Sequence, residues 1–361
     1  MIDMSLQPTL NDTYHLFSSP KEWLEELHRD IVAAQKYIYI ETFRFNDDRT
    51  GRHIAEALIE QVQKGVEVKL IVDSWGTRRT SLFKRMERAG IKIRFFRKIV
   101  FSILIFSKNH ERNHRKIIAI DDKISYIGSA NFSEYSLQWR ESILRIEGPI
   151  ASTFKKIFLD NFKSYKRSIK RRKYYKTIRF NEFLIIREAP SVRHQQARKY
   201  FIKLLNEAKH SFTVVTPYFL PGKMVRKNMV KAAKRGVCVQ VIIPQHSDVA
   251  IVDYMRNIYL GNLHLHGIDI RLFQNANIHA KLLLVDASLF ALGSSNLDYR
   301  SFRYMYEINL SGENEEIAYL VRNFIKETLP NCSPFDYTQW LNRPIWQRFF
   351  AFLLIPFRRL L

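Results

Sequence analysis

The chain contains the same polar motif twice, and this duplication constrains its fold more than any other feature. A histidine, a lysine, an aspartate and an asparagine recur in the same order and at the same spacing in the two halves of the 361-residue sequence. The first copy comprises His114, Lys116, Asp121 and Asn131, and the second comprises His279, Lys281, Asp286 and Asn296. Chance very rarely preserves so long a register, so we expect two structurally equivalent halves.

Each half also has the same order of strands and helices. Residues 64–72 parallel residues 235–243, and each of these apolar segments follows an amphipathic stretch that ends near a glycine. Gly65 and Gly236 lie where a left-handed residue would end a helix. Strands that alternate with helices indicate βαβ units. The predicted fold class is therefore α/β, with two tandem α/β/α halves that contain mixed sheets and are related by a pseudo-two-fold axis.

An apolar insertion distinguishes the first half from the second. The first half has about twelve additional residues just before its motif histidine. They include an apolar run, residues 99–106, inside a segment, residues 97–108, that is flanked by cations. Two interpretations are open. The run is either an extra buried strand or a lip that enters a lipid interface beside the site.

Two other segments are basic and lack acidic residues. Residues 163–179 contain nine cations and no anion, which favours a patch for anionic lipid or a nucleic-acid backbone over a solvated linker. Residues 343–361 combine aromatic and aliphatic side chains with cations only. This segment is too short to cross a bilayer, and its composition is typical of an interfacial anchor. The alternative is a tail docked on the domain.

The charge of the chain indicates an anionic partner, either phospholipid head groups or nucleic acid. Lys and Arg number 58 against 35 Asp and Glu, which gives a net charge of +23. The apolar fraction of 46% excludes a disordered chain, and two cysteines are too few for a disulfide framework. We see no signal-peptide pattern and no apolar run long enough to span a membrane. We therefore expect a peripheral protein on the cytoplasmic face of the cell membrane.

The motif residues are suited to phosphoryl chemistry. Residues i and i+2 of a strand share a face, so His114 projects with Lys116, and His279 projects with Lys281. If the halves pair, two imidazoles and two ammonium groups meet at one point. One neutral imidazole could then attack phosphorus while the other, protonated, delivers a proton to the leaving alcohol. Such covalent catalysis requires no metal or cofactor, and we expect neither.

The remaining site residues supply hydrogen bonds. The residues predicted to bind the substrate phosphate are Ser129, Asn131, Ser294 and Asn296. Asp121 and Asp286 complete the predicted catalytic motifs, but their odd separation from the histidines turns them to the opposite face of a strand. We expect them to fix the following turn. Glu141 and Glu307 are predicted to orient the imidazoles, because a carboxylate on the far ring nitrogen holds the tautomer.

These motifs resemble those of the phospholipase D superfamily. Its signature, His-x-Lys-x4-Asp-x6-Gly-Ser followed by Asn, is present twice. Wider stretches are similar to bacterial cardiolipin synthases that lack N-terminal membrane spans; they include residues 39–43, 112–116, 139–149, 216–221 and 293–301. The resemblance covers about residues 20–340.

The resemblance implies two phospholipase D-like halves that share one active site. The expected domains are residues 1–162 and 180–342, joined by the basic segment 163–179 and followed by the tail 343–361.

The resemblance also implies a ping-pong transfer of a phosphatidyl group to phosphatidylglycerol. His114 would form a phosphohistidine, while His279 would protonate the departing alcohol and then deprotonate the acceptor. The repeat alone leaves these two roles interchangeable.

Two alternatives remain. A hydrolase or nuclease-like phosphodiesterase would use the same two histidines, although the apolar run and the tail make nucleic acid an unlikely partner. A lipid-binding scaffold with an inactive site would have no physical need for two complete motifs. The expected partner is an anionic phospholipid surface that contains phosphatidylglycerol.

Overall fold

The computed structural model describes residues 12–96, 111–165 and 177–356. The predicted apolar insertion at 97–108 lies outside the described residues. The central part of the basic segment, residues 166–176, and the end of the tail, residues 357–361, lie outside them as well.

The first half is built on a seven-stranded mixed sheet. Its strands are β1 (Thr13–Phe17), β2 (Tyr37–Thr42), β3 (Glu67–Asp73), β4 (Lys92–Phe96), β6 (Ile117–Ile120), β7 (Ile124–Gly128) and β8 (Ile143–Glu147). They lie in the order β1-β8-β7-β6-β2-β3-β4. Strands β2, β3 and β4 are parallel, and the remaining neighbours are antiparallel. The short strand β5 (Arg112–Asn113) does not join this sheet.

Helices cover both faces of the first sheet. They are α1 (Pro20–Ala33), α2 (Arg49–Gln63), α3 (Ser81–Arg88) and α4 (Ile150–Ser164). Alternate residues of β2 face opposite layers, as a strand requires. Ile38 and Ile40 lie in the apolar cluster formed with α1, α2 and α3. Tyr37 and Tyr39 lie in a different cluster, which includes Phe158 of α4.

The second half repeats this arrangement around a longer sheet. Its strands are β9 (Ile178–Phe180), β10 (Phe183–Glu188), β11 (Ser211–Val215), β12 (Cys238–Pro244), β13 (Asp269–Phe273), β14 (Leu282–Val285), β15 (Leu289–Gly293), β16 (Met305–Glu313) and β17 (Cys332–Pro334). Their order is β17-β13-β12-β11-β14-β15-β16-β10-β9, and β5 of the first half pairs with β16. One strand of the first half therefore extends the sheet of the second.

The helices of the second half also lie in two layers. They are α5 (Gln196–Glu207), α6 (Lys223–Lys234), α7 (Ala250–Leu265), α8 (Tyr299–Arg303), α9 (Glu315–Thr328), α10 (Tyr337–Leu341) and α11 (Ile345–Leu354). Short 3-10 turns occupy Glu134–Ser136 and Leu329–Asn331. Side chains of α5, α6 and α7 share one cluster with the sheet, whereas those of α9 lie in the cluster that contains α4.

The predicted α/β architecture with two mixed sheets is confirmed, and the repeat is visible in backbone detail. Gly65 and Gly236 follow the C-caps of α2 and α6, and both have φ of +91°. This is the left-handed conformation that glycine adopts without a steric penalty.

The inner faces of the two halves form one apolar core. Phe154 and Phe158 of α4 share a buried cluster with Leu284, Leu310 and Phe324 of the second half. The halves therefore bury a common interior, which fixes their relative position through the hydrophobic effect.

The C-terminal helix α11 is attached by one face and exposed on the other. Ala351 is buried, and the Tyr254 ring of α7 contacts Phe350 at 5.7 Å between ring centroids. Ile345, Phe349 and Phe352 are 80%, 62% and 67% exposed. Within the described part of the chain, no helix combines the length and apolar character needed to cross a bilayer.

The motif aspartates lie at turns far from the histidines. The Asp121 carboxylate accepts hydrogen bonds from the backbone N–H groups of Gln35, Lys36 and Tyr37 at 2.6, 2.8 and 2.9 Å. Asp286 accepts three equivalent bonds, all at 2.8 Å, from residues 209–211. Each carboxylate thus fastens the end of one strand to the start of its neighbour. This placement is the one expected for a turn-fixing role, and the three hydrogen bonds of each carboxylate tie it to the backbone.

The environment of Asp286 makes its contribution pH-dependent. Burial alone would raise the pKa of Asp286, but the N–H donations of Ser211, Lys209 and His210 hold that pKa below its usual value. A lowered carboxyl pKa stabilises the fold at neutral pH, and this stabilisation is lost as the pH falls through the lowered pKa.

We expect Asp121→Ala to lower the free energy of unfolding by about 2 kcal/mol more than Asp122→Ala, because it removes three charge-assisted hydrogen bonds. Asp122 is a matched control because the two residues have φ of 54° and 55°. Chemical denaturation measures the difference. Equal stability of the two variants would contradict the turn-fixing role.

Candidate active site

Both copies of the motif lie at the same edge of their sheets. His114 and Lys116 immediately precede β6, which begins beside the carboxyl end of β2. His279 and Lys281 occupy the equivalent place before β14, beside the carboxyl end of β11. All four side chains are buried.

Each histidine is held by a glutamate from the other half. Nδ1 of His114 lies 3.1 Å from both carboxylate oxygens of Glu307, which is on β16. Nδ1 of His279 lies 2.9 and 3.0 Å from the oxygens of Glu141, which precedes β8. A ring N–H that donates to a carboxylate leaves Nε2 as the nitrogen available to a substrate. The two glutamates therefore have the predicted orienting position. They are exchanged between the halves, in the sense that each half supplies the glutamate that binds the histidine of the other half.

This exchange brings the two motifs to one site. The backbone carbonyl of Ser294 lies 3.2 Å from Nδ1 of His114, and the backbone N–H of Lys281 donates to Ser142 Oγ at 3.1 Å. The ammonium groups of Lys116 and Lys281 are close enough for the charge of Lys281 to act on the pKa of Lys116. Neither half could form this arrangement without the other.

The two motif serines are placed differently from the sequence prediction. Ser129 and Ser294 are fully buried, and their hydroxyl groups donate to the carboxylates of Glu141 and Glu307. The serines thus lie behind the glutamates, whereas the sequence predicts that they contact the substrate phosphate. The hydroxyls instead help to fix the two carboxylates.

The glycine before each serine is required by close packing of the backbone. A Cβ at Gly128 would lie 2.3 Å from the carbonyl oxygen of Ser142, and one at Gly293 would lie 2.3 Å from that of Ile308. These distances are shorter than any real contact, so only glycine allows the serine to approach its glutamate.

The two asparagines remain available to an anion. Asn131 accepts the backbone N–H of Arg44 on its side-chain oxygen at 3.2 Å, which leaves its NH2 group to donate elsewhere. In Asn296 the NH2 group is the part that can donate to an anion, whereas its buried side-chain oxygen, an acceptor, has no hydrogen-bond partner among the described residues.

Burial lowers the pKa of all four basic motif groups. It lowers the pKa of His114 to about 4 against the opposing charge of Glu307, and it also lowers the pKa of His279. The pKa values of Lys116 and Lys281 fall to about 7 and about 8, again mainly because burial disfavours the charged form. The His114 imidazole is thus neutral at pH 7, as a nitrogen nucleophile requires. An anionic diester in the site would favour protonation of the lysines.

Sequence reasoning missed a polar group beside His279. The hydroxyl of Tyr218 donates to Asp248 at 2.7 Å, and its ring centroid lies 6.3 Å from that of His279. Asn277 donates to the same carboxylate at 3.1 Å, and the Trp139 ring lies 5.1 Å from the His279 ring. Tyr218 belongs to one of the family-like stretches, but no sequence signal distinguishes Asp248.

The arrangement is suited to displacement at a phosphodiester. It offers two oriented imidazoles, two ammonium groups and two amides around one point, while buried carboxylates hold the imidazoles. Within residues 12–96, 111–165 and 177–356, no group of three or more His, Cys, Asp or Glu side chains is placed to hold a metal ion.

Sequence comparison identifies a family. The family model described as "Cardiolipin synthase, PLD-like domain" matches residues 27–164 and 201–329. The cardiolipin synthase of Oceanobacillus iheyensis is 30% identical over 354 residues, which cover 94% of this chain and 74% of that protein. The major cardiolipin synthase ClsA of Bacillus subtilis is 28% identical over 359 residues, covering 94% and 73%.

Comparison with solved structures supports the fold. Phosphatidylserine synthase from Haemophilus influenzae Rd KW20 superposes with a TM-score of 0.79 at 14% identity, over 96% of this chain and 95% of that one. Polyphosphate kinase from Porphyromonas gingivalis gives a TM-score of 0.62 at 13% identity, over 91% of this chain and 49% of that one. At these identities the likeness shows the fold alone.

We expect Glu307→Gln to reduce turnover about a hundredfold or more, because a neutral amide no longer fixes the ring and tautomer of His114. The substitution should also lower the pKa of His114 further, since the charge of Glu307 raises it. NMR titration of labelled histidine measures this shift.

Glu313→Gln is the matched control, because it changes the same charge at the exposed end of the same strand. Turnover of Glu307→Gln close to wild type, or a raised pKa of His114, would contradict the orienting role.

Proposed function

This chain belongs to the phospholipase D-like family of cardiolipin synthases, and we propose that it is a phosphatidyltransferase that makes cardiolipin from phosphatidylglycerol through a phosphohistidine intermediate. The observation that carries the proposal is the exchange of glutamates between the halves. It orients His114 and His279 within one buried site, with a lysine beside each.

In the first step, Nε2 of neutral His114 attacks the phosphorus of a bound phosphatidylglycerol. The P–N bond forms, the P–O bond to the head-group glycerol breaks, and protonated His279 gives its proton to the departing oxygen. Glycerol leaves, and the phosphatidyl group remains on His114.

In the second step, a second phosphatidylglycerol takes the place of glycerol. Neutral His279 removes the proton of its hydroxyl, the hydroxyl oxygen attacks phosphorus, and the P–N bond breaks. Cardiolipin leaves, and His279 is again protonated. Lys116, Lys281, Asn131 and Asn296 hold the phosphate oxygens during both displacements.

The surroundings of His279 support its role as the acid. The charges of Glu141 and Asp248 both raise its pKa against the effect of burial. Lys281 lowers the pKa of both histidines, and Lys116 also lowers the pKa of His114, which has Glu307 behind it. A proton bound at this site is therefore better stabilised on His279, while His114 stays neutral and nucleophilic.

We also propose that the protein is a peripheral membrane protein of the cytoplasmic face and that α11 binds the lipid surface. Helix α11 packs on α7, which begins shortly after the carboxyl end of β12, at the sheet edge that carries the site. Its exposed Phe349 and Phe352 can enter the interface while the net charge of +23 attracts anionic head groups.

We expect rapid acid-free quenching of the enzyme with phosphorus-labelled phosphatidylglycerol to trap label on His114. Phosphohistidine is acid-labile, so the label should be released by mild acid and should map to the peptide that contains His114. His114→Ala should abolish both labelling and cardiolipin formation.

His279→Ala should also abolish turnover, because it removes the proposed proton donor to the leaving glycerol. Circular dichroism checks that both variants keep the fold. Label found on His279, or full turnover by either variant, would contradict the mechanism. Phosphatidic acid as the only product would indicate the hydrolase instead.

We expect replacement of Phe349 and Phe352 by Ser to weaken binding to phosphatidylglycerol vesicles about tenfold or more. The variant lacks the two aromatic side chains whose transfer from water into the lipid interface favours binding. Sedimentation of the protein with vesicles measures the bound fraction. The control replaces Leu265 and Tyr319, which are 63% and 56% exposed on other helices, by Ser. If both double variants lose vesicle binding equally, α11 is a structural tail and not the lipid-binding element.

A further inference from the structure

The two halves differ at one pair of equivalent positions beside the site. Thr42 and Thr216 each donate through Oγ1 to the carbonyl two residues later at 3.3 Å, and these carbonyls belong to Arg44 and Tyr218. The residue after each of them forms an isolated parallel bridge to the segment that follows the motif asparagine. Arg44 and Tyr218 therefore occupy equivalent backbone positions in the two halves, but their side chains differ in chemistry.

At the Tyr218 position, the nearby charge is the negative charge of Asp248, which acts on His279. The Tyr218 hydroxyl donates to Asp248, whose charge acts on both His279 and Lys281. In the proposed second step, His279 takes a proton from the neutral hydroxyl of the acceptor. Nearby negative charge favours this proton transfer, so no additional cation is needed beside Tyr218.

The Arg44 position carries an uncompensated positive charge. Arg44 is only partly exposed, and among the described residues it has no carboxylate within ion-pair distance. Other arginines of the same half do have such partners: Arg52 pairs with Asp47 at 2.7 Å and Arg145 with Asp30 at 2.8 Å. A guanidinium that loses water without gaining an anion costs free energy, so this position favours an anionic ligand.

Arg44 lies beside the site, directly after Phe43, whose ring centroid is 5.2 Å from that of His114. Its backbone is fixed by Asn131, and its charge acts on Lys116 of its own half. Burial raises the pKa of Tyr218, and the charge of Arg44 opposes that rise from the other half. The charge of Arg44 therefore acts on groups from both halves of the site.

The two substrates make different demands on this side. The donor leaves with a neutral glycerol, and its single phosphate is the reacting one, already served by Lys116 and Lys281. The acceptor enters with a second phosphodiester, which does not react and lies one glycerol length from the attacking hydroxyl. The site needs one more cation for the acceptor than for the donor.

We propose that Arg44 binds the non-reacting phosphate of the acceptor lipid and so selects a phospholipid over a neutral alcohol as acceptor. This inference rests on the proposed function. Arg44 is a specificity residue of the second displacement and has no part in the first. Its planar guanidinium can make two parallel hydrogen bonds to a phosphodiester.

The test is a partition experiment, in which Arg44→Ala acts on phosphatidylglycerol in detergent micelles with ethanol as a competing neutral acceptor. Cardiolipin and phosphatidylethanol arise from the same phosphohistidine, so their ratio depends on the second step alone. We expect this ratio to fall about tenfold to a hundredfold, as loss of a charge-assisted hydrogen bond implies. Phosphatidylethanol formation should stay within about twofold of wild type.

Two further variants sharpen the test. Arg44→Lys keeps the charge and loses the paired donors, so its ratio should lie between those of wild type and Arg44→Ala. Arg52→Ala removes an exposed arginine of the same half and should leave the ratio unchanged.

An unchanged ratio in Arg44→Ala would overturn the inference. So would a fall of both products together, which would place Arg44 on the reacting phosphate. Continued phosphatidylethanol formation shows that the variant is folded. If the wild-type enzyme makes phosphatidylethanol but no cardiolipin, the proposed function itself fails, whatever Arg44 does.

Discussion

The hydrogen bonds between each histidine and a glutamate of the opposite half are the interaction on which the rest of the structure depends. Both glutamates are fully buried, and each also accepts a serine hydroxyl. A buried carboxylate that lost its imidazole would be strongly destabilising. The docking of the halves and the orientation of the site are therefore one event, stabilised further by the common apolar core.

Burial gives the site its affinity for anions. Two ammonium groups and two imidazoles are removed from water at one place, where the carboxylates of Glu141 and Glu307 bind the two imidazoles. The pKa values of Lys116 and Lys281 fall to about 7 and about 8 as a result. In the proposed function a phosphodiester supplies negative charge beside these groups, so its binding would offset part of the cost of burying them.

Much of this could be predicted from the sequence because the repeat is regular. The duplicated motif predicted two α/β halves, and the period-two separation of His and Lys predicted a shared face. The odd separation of Asp121 predicted its turn. The exchange of Glu141 and Glu307 could not be predicted, since it depends on how two sheets pack. A strand pattern does not reveal what lies behind the strand, so the contacts of Ser129 and Ser294 with the glutamates could not be predicted either. Asp248 lies outside both motifs.

The pairing of strand β5 with the other half affects how the sequence of such a site can evolve. Residues 112–113 run directly into His114 and pair with Met305 and Tyr306 of the other half, so the two repeats are joined by backbone hydrogen bonds at the reaction centre itself. Two identical copies in such an arrangement would have to change in tandem, because one gene would encode both sides. Covalent linkage of the repeats removes that symmetry requirement. The sequence of each repeat can then change independently, as Arg44 in the first half and Tyr218 in the second illustrate.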